Sequence, residues 1–222
     1  MSLEKREISR QSKTPILTKE VVGLLTKLCF RPDDILTPAE LLFVFGNSQT
    51  ERMAELTKIV LNRKLVSKVV LTGGTPKFED SVIVPKPESQ LVLDSINPNL
   101  FPDVEFFIES VSDNTLANVT EALKVLDFSS YKKIIFLFKK HDSRRGYLTL
   151  KKLLPKTELL QVTFPGVYKD GITITEDSWF KNEVAISRVW GEYLRINKYG
   201  RRGDIAFDEV ADIVEAIEKL TE

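Results

Sequence analysis

Three observations predict an α/β fold with a mainly parallel, doubly wound sheet of about five strands. Short apolar runs alternate with stretches of helical period, the loops after those runs are small and polar, and helical segments flank the whole series. The expected strands are Leu41–Phe45, Lys68–Leu71, Val104–Ile108, Lys133–Phe138 and Leu159–Phe164. Runs of this kind, rich in Val, Ile, Leu and Phe without strict alternation, suit strands covered on both faces.

The helices follow from their spacing. Val21, Leu24, Leu25 and Leu28 mark an N-terminal helix over about residues 17–29, expected to cover the sheet or its edge. Met53, Leu56, Ile59 and Val60 form one apolar face after the first strand, and Leu116, Val119, Leu123 and Leu126 another after the third. Tyr147, Leu150, Leu153 and Leu154 give a helix that stops before Pro155. The tail is helical over about 178–220, interrupted by the basic, glycine-rich turn Tyr199–Asp204. No repeat, low-complexity segment or composition break is visible, so a single domain over residues 1–222 is expected, with its core at about 41–205.

Composition excludes several classes. The 222 residues carry 32 Lys and Arg against 32 Asp and Glu, a balance without the basic excess of a nucleic-acid binder. The longest apolar runs, Leu41–Phe45 and Ile134–Phe138, fall far short of the ~20 residues of a membrane helix. A single Cys29 forms no internal disulfide, and no apolar signal segment follows Met1–Arg6, so a cytoplasmic location is expected. One His and one Cys cannot supply an N/S-rich zinc site, and no metal site is expected. Gly-x-Gly-x-x-Gly, Walker-type, Gly-x-Ser-x-Gly and His-Glu-x-x-His patterns are missing. Thr72-Gly73-Gly74 has no acidic residue after it to hold a ribose, which disfavours standard NAD chemistry.

In open parallel sheets, ligands bind beyond the carboxyl ends of the strands. The loops to read are therefore Gly46-Asn47-Ser48, Thr72-Gly73-Gly74, Glu109–Thr115 and Lys139–Arg145. Each has two compatible readings. Ser48 with Glu51 forms a capping box, and Asp113, Asn114 and Thr115 are good N-caps; the same helix N-termini, with glycines allowing close approach, are anion sites. Lys139, Lys140, Arg144 and Arg145 cluster where a helix begins, against its macrodipole. Either Asp142 caps that helix and surface carboxylates such as Glu109 pair the cations, or the arginines clamp an anionic ligand. His141 is either a solvated loop residue or a base.

The order of these motifs resembles the YdcF-like family, the soluble branch of domain of unknown function 218, whose wider membership includes the ElyC and SanA envelope proteins. The resemblance spans roughly Leu41 to Ile205 and rests on Gly46-Asn47, Thr72-Gly73-Gly74, Arg144-Arg145, Phe164-Pro165-Gly166, Tyr199-Gly200-x-Arg202-Gly203-Asp204 and, most specifically, Glu109-x-x-Ser112-x-Asn114-Thr115-x-x-Asn118. It implies a Rossmann-like three-layer sandwich whose matched loops line a pocket. S-adenosylmethionine is the cofactor or ligand it suggests, although the glycine loop of ordinary methyltransferases is missing. His141 with Arg144 fits the His-x-x-Arg of the wider family. The expected partner is an anionic, nucleotide-like small molecule, with Gly46, Asn47, Gly73, Gly74, Glu109, Ser112, Asn114, Thr115, Asn118, Arg144 and Arg145 binding it. The alternative is a hydrolase or transferase acting on a phosphorylated or adenosyl substrate, with Glu109 or His141 as its base.

Overall fold

The structure, a computed structural model, describes residues 5–9, 12–75, 77, 86–168 and 171–221. The chain resolves into two compact units, one built mainly from Asp33–Phe138 and Leu153–Phe164, the other from Arg6–Pro32, Lys139–Lys152 and Pro165–Glu222.

The first unit is a five-stranded parallel sheet flanked by helices. Its strands are β1 (Leu41–Val44), β2 (Lys68–Leu71), β3 (Glu105–Ile108), β4 (Lys133–Lys139) and β5 (Glu158–Phe164), in the order β3-β2-β1-β4-β5. β1 is central, with Leu42 opposite both Val69 and Ile135, and Val44 opposite both Leu71 and Leu137. All five fall where the apolar runs predict them, within a residue at each end. The period of two then sorts side chains between faces. Leu42, Val44, Ile135 and Leu137 pack with Met53 and Val60 of α2 (Thr50–Asn62) and with Val92 and Ile96 of α3 (Glu88–Ile96). The alternate residues are aromatic: Phe43 packs edge-on against Phe128, and Phe45 stacks on Phe138 with ring centroids 4.6 Å apart. Both faces of the sheet are thus buried.

Two helix faces differ from expectation. In α2 the buried residues are Met53, Ala54, Thr57, Val60 and Leu61, while Ile59 is 52% exposed. Thr57 is tolerated inside because its hydroxyl donates to the Met53 carbonyl one turn earlier. In α4 (Thr115–Val125) the buried side is Asn118, Val119 and Ala122, and Leu123 is exposed. A polar Asn118 occupies the inward position because it has partners there. The helix α3 was not expected. The proposed Ser48–Glu51 capping box does not form: the N-cap of α2 is Gln49, which makes no side-chain cap bond, and Asn47 Oδ1 accepts from the Gln49 amide instead.

The second unit contains α1 (Lys19–Cys29), most of α5 (Ser143–Leu153), a hairpin of β6 (Gly166–Val167) and β7 (Thr173–Ile174), α6 (Glu183–Arg202) and α7 (Ala211–Thr221). Val21, Leu25 and Leu28 of α1 join Trp179, Val189, Tyr193, Ile196, Val214 and Ile217 in one apolar cluster. Trp179 satisfies its indole by donating to Thr26 Oγ1 at 2.9 Å. The Tyr199–Asp204 segment is not the separating turn that its glycines suggest. α6 runs through Gly200 to Arg202 and ends at Gly203, φ 89°, with Gly203 N donating to Gly200 O and Asp204 N to Tyr199 O, a Schellman ending. Gly200 lies inside the helix because the Phe207 ring occupies the space of a β-carbon there. No helix among the described residues is long and apolar enough to cross a membrane.

Candidate functional site

The loops leaving β1, β2 and β3 are tied together by one network. Glu109, immediately after β3, is 2% exposed. Its Oε1 accepts from the Val111 and Ser112 amides at 2.6 and 2.7 Å, and its Oε2 from the Gly73 amide at 3.1 Å and from the Ser112 hydroxyl. Ser112 Oγ in turn accepts from Asn118 Nδ2 at 2.6 Å, and Asn118 Oδ1 accepts from the Gly46 amide at 2.9 Å. That amide is shared with Thr72 Oγ1 at 3.1 Å, whose hydroxyl donates to the Val44 carbonyl. The motif Glu109-x-x-Ser112…Asn118 therefore links three strand ends through buried polar groups, each with a partner.

Backbone proximity explains the glycines. A β-carbon on Gly46 would fall 2.6 Å from Gly73 Cα, and one on Gly73, φ +117°, 2.8 Å from Gly46 Cα. Gly74 donates to the Ser112 carbonyl at 2.7 Å. These glycines bring loop against loop, and their amides are held by the chain itself. Glu109, with about four acceptor directions and four donors around it, has no lone pair left for a substrate proton. Asn114 caps α4 by accepting from the Ala117 amide at 2.9 Å, and Thr115 opens the helix. Asn47, at the end of β1, is buried and lies against Met53, donating to its sulfur.

No protein-family model matches the chain. No curated protein matches it either.

The remaining predicted residues belong to the second unit. His141 is 2% exposed, which overturns the solvated-loop reading. Its Nε2 lies 2.9 Å from the Tyr168 hydroxyl and 3.3 Å from Asp142 Oδ1, while Nδ1 is buried without a hydrogen-bond partner among the described residues. Both neighbours share one ring nitrogen, so Asp142 and Tyr168 cannot act through opposite nitrogens as a triad requires. Burial holds the imidazole pKa down at about 4, with Asp142 pulling it up and Lys139 pushing it further down. Asp142 immediately precedes α5. It pairs with Lys139 at 2.9 Å, and although burial acts to raise its pKa, Lys139 and His141 hold it well below the usual carboxylate range.

Arg145 is buried and ion-paired. Its Nε donates to Glu192 Oε2 at 2.7 Å, and Arg195 Nη1 donates to the other Glu192 oxygen at 2.9 Å. Burial acts to lower the Arg145 pKa, but Glu192 and Asp142 outweigh it and the group stays charged. Glu192 was absent from the sequence reading. Lys140 pairs with Glu176 at 3.4 Å. Arg144 differs: its Nε is buried without a hydrogen-bond partner among the described residues.

Proposed function

We propose that the protein binds an anionic, nucleotide-like small molecule, S-adenosylmethionine or a nucleotide, at the carboxyl ends of its parallel strands. The observation that carries this reading is the strand order β3-β2-β1-β4-β5. The chain steps outward from β1 to β3 on one side and returns to β4 on the other, so strand order reverses between β1 and β4, where open α/β sheets take their ligands. β1 leads directly into α2, a helix of 13 residues whose N-cap makes no side-chain cap bond. First-turn amides and the macrodipole at that end suit a negative group. The Glu109–Ser112–Asn118 network holds the adjoining loops in one conformation, which lowers the ordering cost of binding. Membership of the YdcF-like family is part of the proposal.

Native mass spectrometry of the purified protein, looking for a retained small molecule, is the first measurement. Thermal shifts with S-adenosylmethionine and common nucleotides follow, using wild type and Ser48→Glu. Ser48 is exposed beside the start of α2, so a carboxylate there favours the helix while repelling an anion. Binding predicts a ligand-induced rise in wild-type Tm that Ser48→Glu loses without loss of its own stability. No shift in wild type with any of these ligands, or equal shifts in both proteins, overturns the proposal.

A further inference from the structure

Within the second unit, the N-terminal segment meets one stripe of α6. Ser187, Gly191, Arg195, Lys198 and Arg202 recur at helical spacing, within about 80° of one another around the helix axis. The segment runs against the direction of the helix. Ser187 Oγ donates to the Ser12 carbonyl at 3.3 Å, a β-carbon on Gly191 would stand 3.6 Å from the Ser9 carbonyl oxygen, and Arg195 Nη2 donates to the Ile8 carbonyl at 3.0 Å. Glu7 Oε1 then lies 2.9 Å from Lys198 Nζ and 3.0 Å from Arg202 Nη1. The hydrogen bond from Lys198 holds the Glu7 carboxyl below its usual range, against a smaller opposing effect of burial and with help from Arg202.

The hydrogen bonds and ion pairs along this stripe take two main-chain carbonyls and one carboxylate from the segment. Those are groups that an extended peptide with one well-placed acid presents. In one respect the segment is a poor match: Glu7 follows Lys5 and Arg6, which carry the same sign as the stripe. Its ion pairs are also half-exposed, with Lys198 at 49% and Arg202 at 50%, so water and salt weaken them.

We infer that this stripe of α6 is a docking surface for an extended acidic segment of a partner protein, and that residues 7–9 and 12 occupy it in cis as a displaceable stand-in. Lifting them would leave Lys198 with no acid among the described residues and Arg195 with Glu192 alone. A partner segment with two or three acids offers an oxygen to each of Arg195, Lys198 and Arg202, so charge complementarity favours it over the single Glu7. Gly191 lets the main chain of either occupant come close to the helix. The cis segment competes through its tether, which keeps it at a roughly millimolar local concentration. This inference goes beyond the binding reading above and does not depend on it.

The test is fluorescence anisotropy of the full chain, at low ionic strength, with a labelled peptide that repeats residues 5–14 with Lys5→Glu and Arg6→Glu. Wild type should bind this acidic peptide, and should bind the unchanged sequence of residues 5–14 about fivefold more weakly. The double variant Lys198→Gln with Arg202→Gln should lose about fivefold or more in affinity for the acidic peptide. Arg52→Gln is the control, because it removes a cation paired with Glu55 in the first unit, and it should bind like wild type. NMR of isotopically labelled wild type reads displacement: the amide signals of Ile8 and Ser9 should move to unstructured positions as the acidic peptide is added. Should the double variant fail to fold, Lys198→Gln alone carries the reading. No binding by wild type, unchanged affinity in the Lys198 variants, an equal loss in Arg52→Gln, or binding that leaves Ile8 and Ser9 in place overturns the inference. Equal or tighter binding of the unchanged peptide also overturns the acidic partner, and would make a second copy of this chain the occupant.

Discussion

Asn118 accepts the Gly46 amide at 2.9 Å with its Oδ1 while its Nδ2 donates to Ser112 Oγ at 2.6 Å, so a single carboxamide from α4 spans the ends of β1 and β3. Asn118→Ala leaves the Gly46 amide with Thr72 Oγ1 alone and removes the donor to the buried Ser112 hydroxyl. We expect a loss of about 2–4 kcal/mol, read from the urea midpoint. Asn118→Asp should be no better, because a carboxylate cannot donate to Ser112. A loss within about 0.5 kcal/mol would show that the loops hold together without this group.

Gly73→Ala and Gly23→Ala should move in opposite directions. Gly73 combines φ +117° with the close approach of Gly46 Cα, so a methyl group forces backbone apart, and a cost of about 2 kcal/mol or more is expected. Gly23 is an exposed interior residue of α1 with nothing within 4 Å of a β-carbon, and alanine there should stabilise by about 0.5–1 kcal/mol. Thermal or chemical melts of the two variants give the comparison directly.

His141 makes stability depend on pH. Its folded pKa of about 4 lies below the ordinary 6.5, so between these values the unfolded chain binds more protons and stability rises with pH. The contribution is complete above pH 6.5 and is lost as pH falls towards 4. It amounts to about 3 kcal/mol at most. Comparing wild type with His141→Phe across that window should show a steeper loss in wild type; parallel profiles would place the acid sensitivity elsewhere.

Glu192 is buried between Arg145 and Arg195, and Glu192→Leu would strand two guanidinium groups. A loss of about 3–5 kcal/mol is expected. Adding Arg145→Met should cost less than the sum of the single changes, by about 1 kcal/mol or more, because the second substitution removes a charge the first left unpaired. Strict additivity of the four unfolding free energies would contradict the pairing.

The strands were legible because a strand buried on both faces must be apolar throughout, as in Leu41–Val44 and Ile134–Phe138, and few other elements of that length read so. Helix α3 was not, because Ser89 sits on its buried side and hides the period beside Val92 and Ile96. The two-residue strands of the β6–β7 hairpin are too short to carry a pattern. At the candidate site, residue types and loop positions were readable, but the direction in which Glu109 points its oxygens is set by backbone turns at Val111 and Ser112. Glu192 was invisible because an acid within a helix ordinarily faces water. Its partner lies 47 residues earlier in the chain.

The packing of α1 against α6 and α7 sets an order of events during synthesis. Cys29, at the end of α1, donates to the Val189 carbonyl 160 residues further along. The helix leaves the ribosome before α6 and α7, with Val21, Leu25 and Leu28 uncovered until those later elements are made. Meanwhile β1 to β4 can already pair, since all four are translated before α6. A nascent chain stalled before α6 should therefore hold a sheet in place while still presenting the apolar stripe of α1 to chaperones, and release from them should wait for α6 and α7.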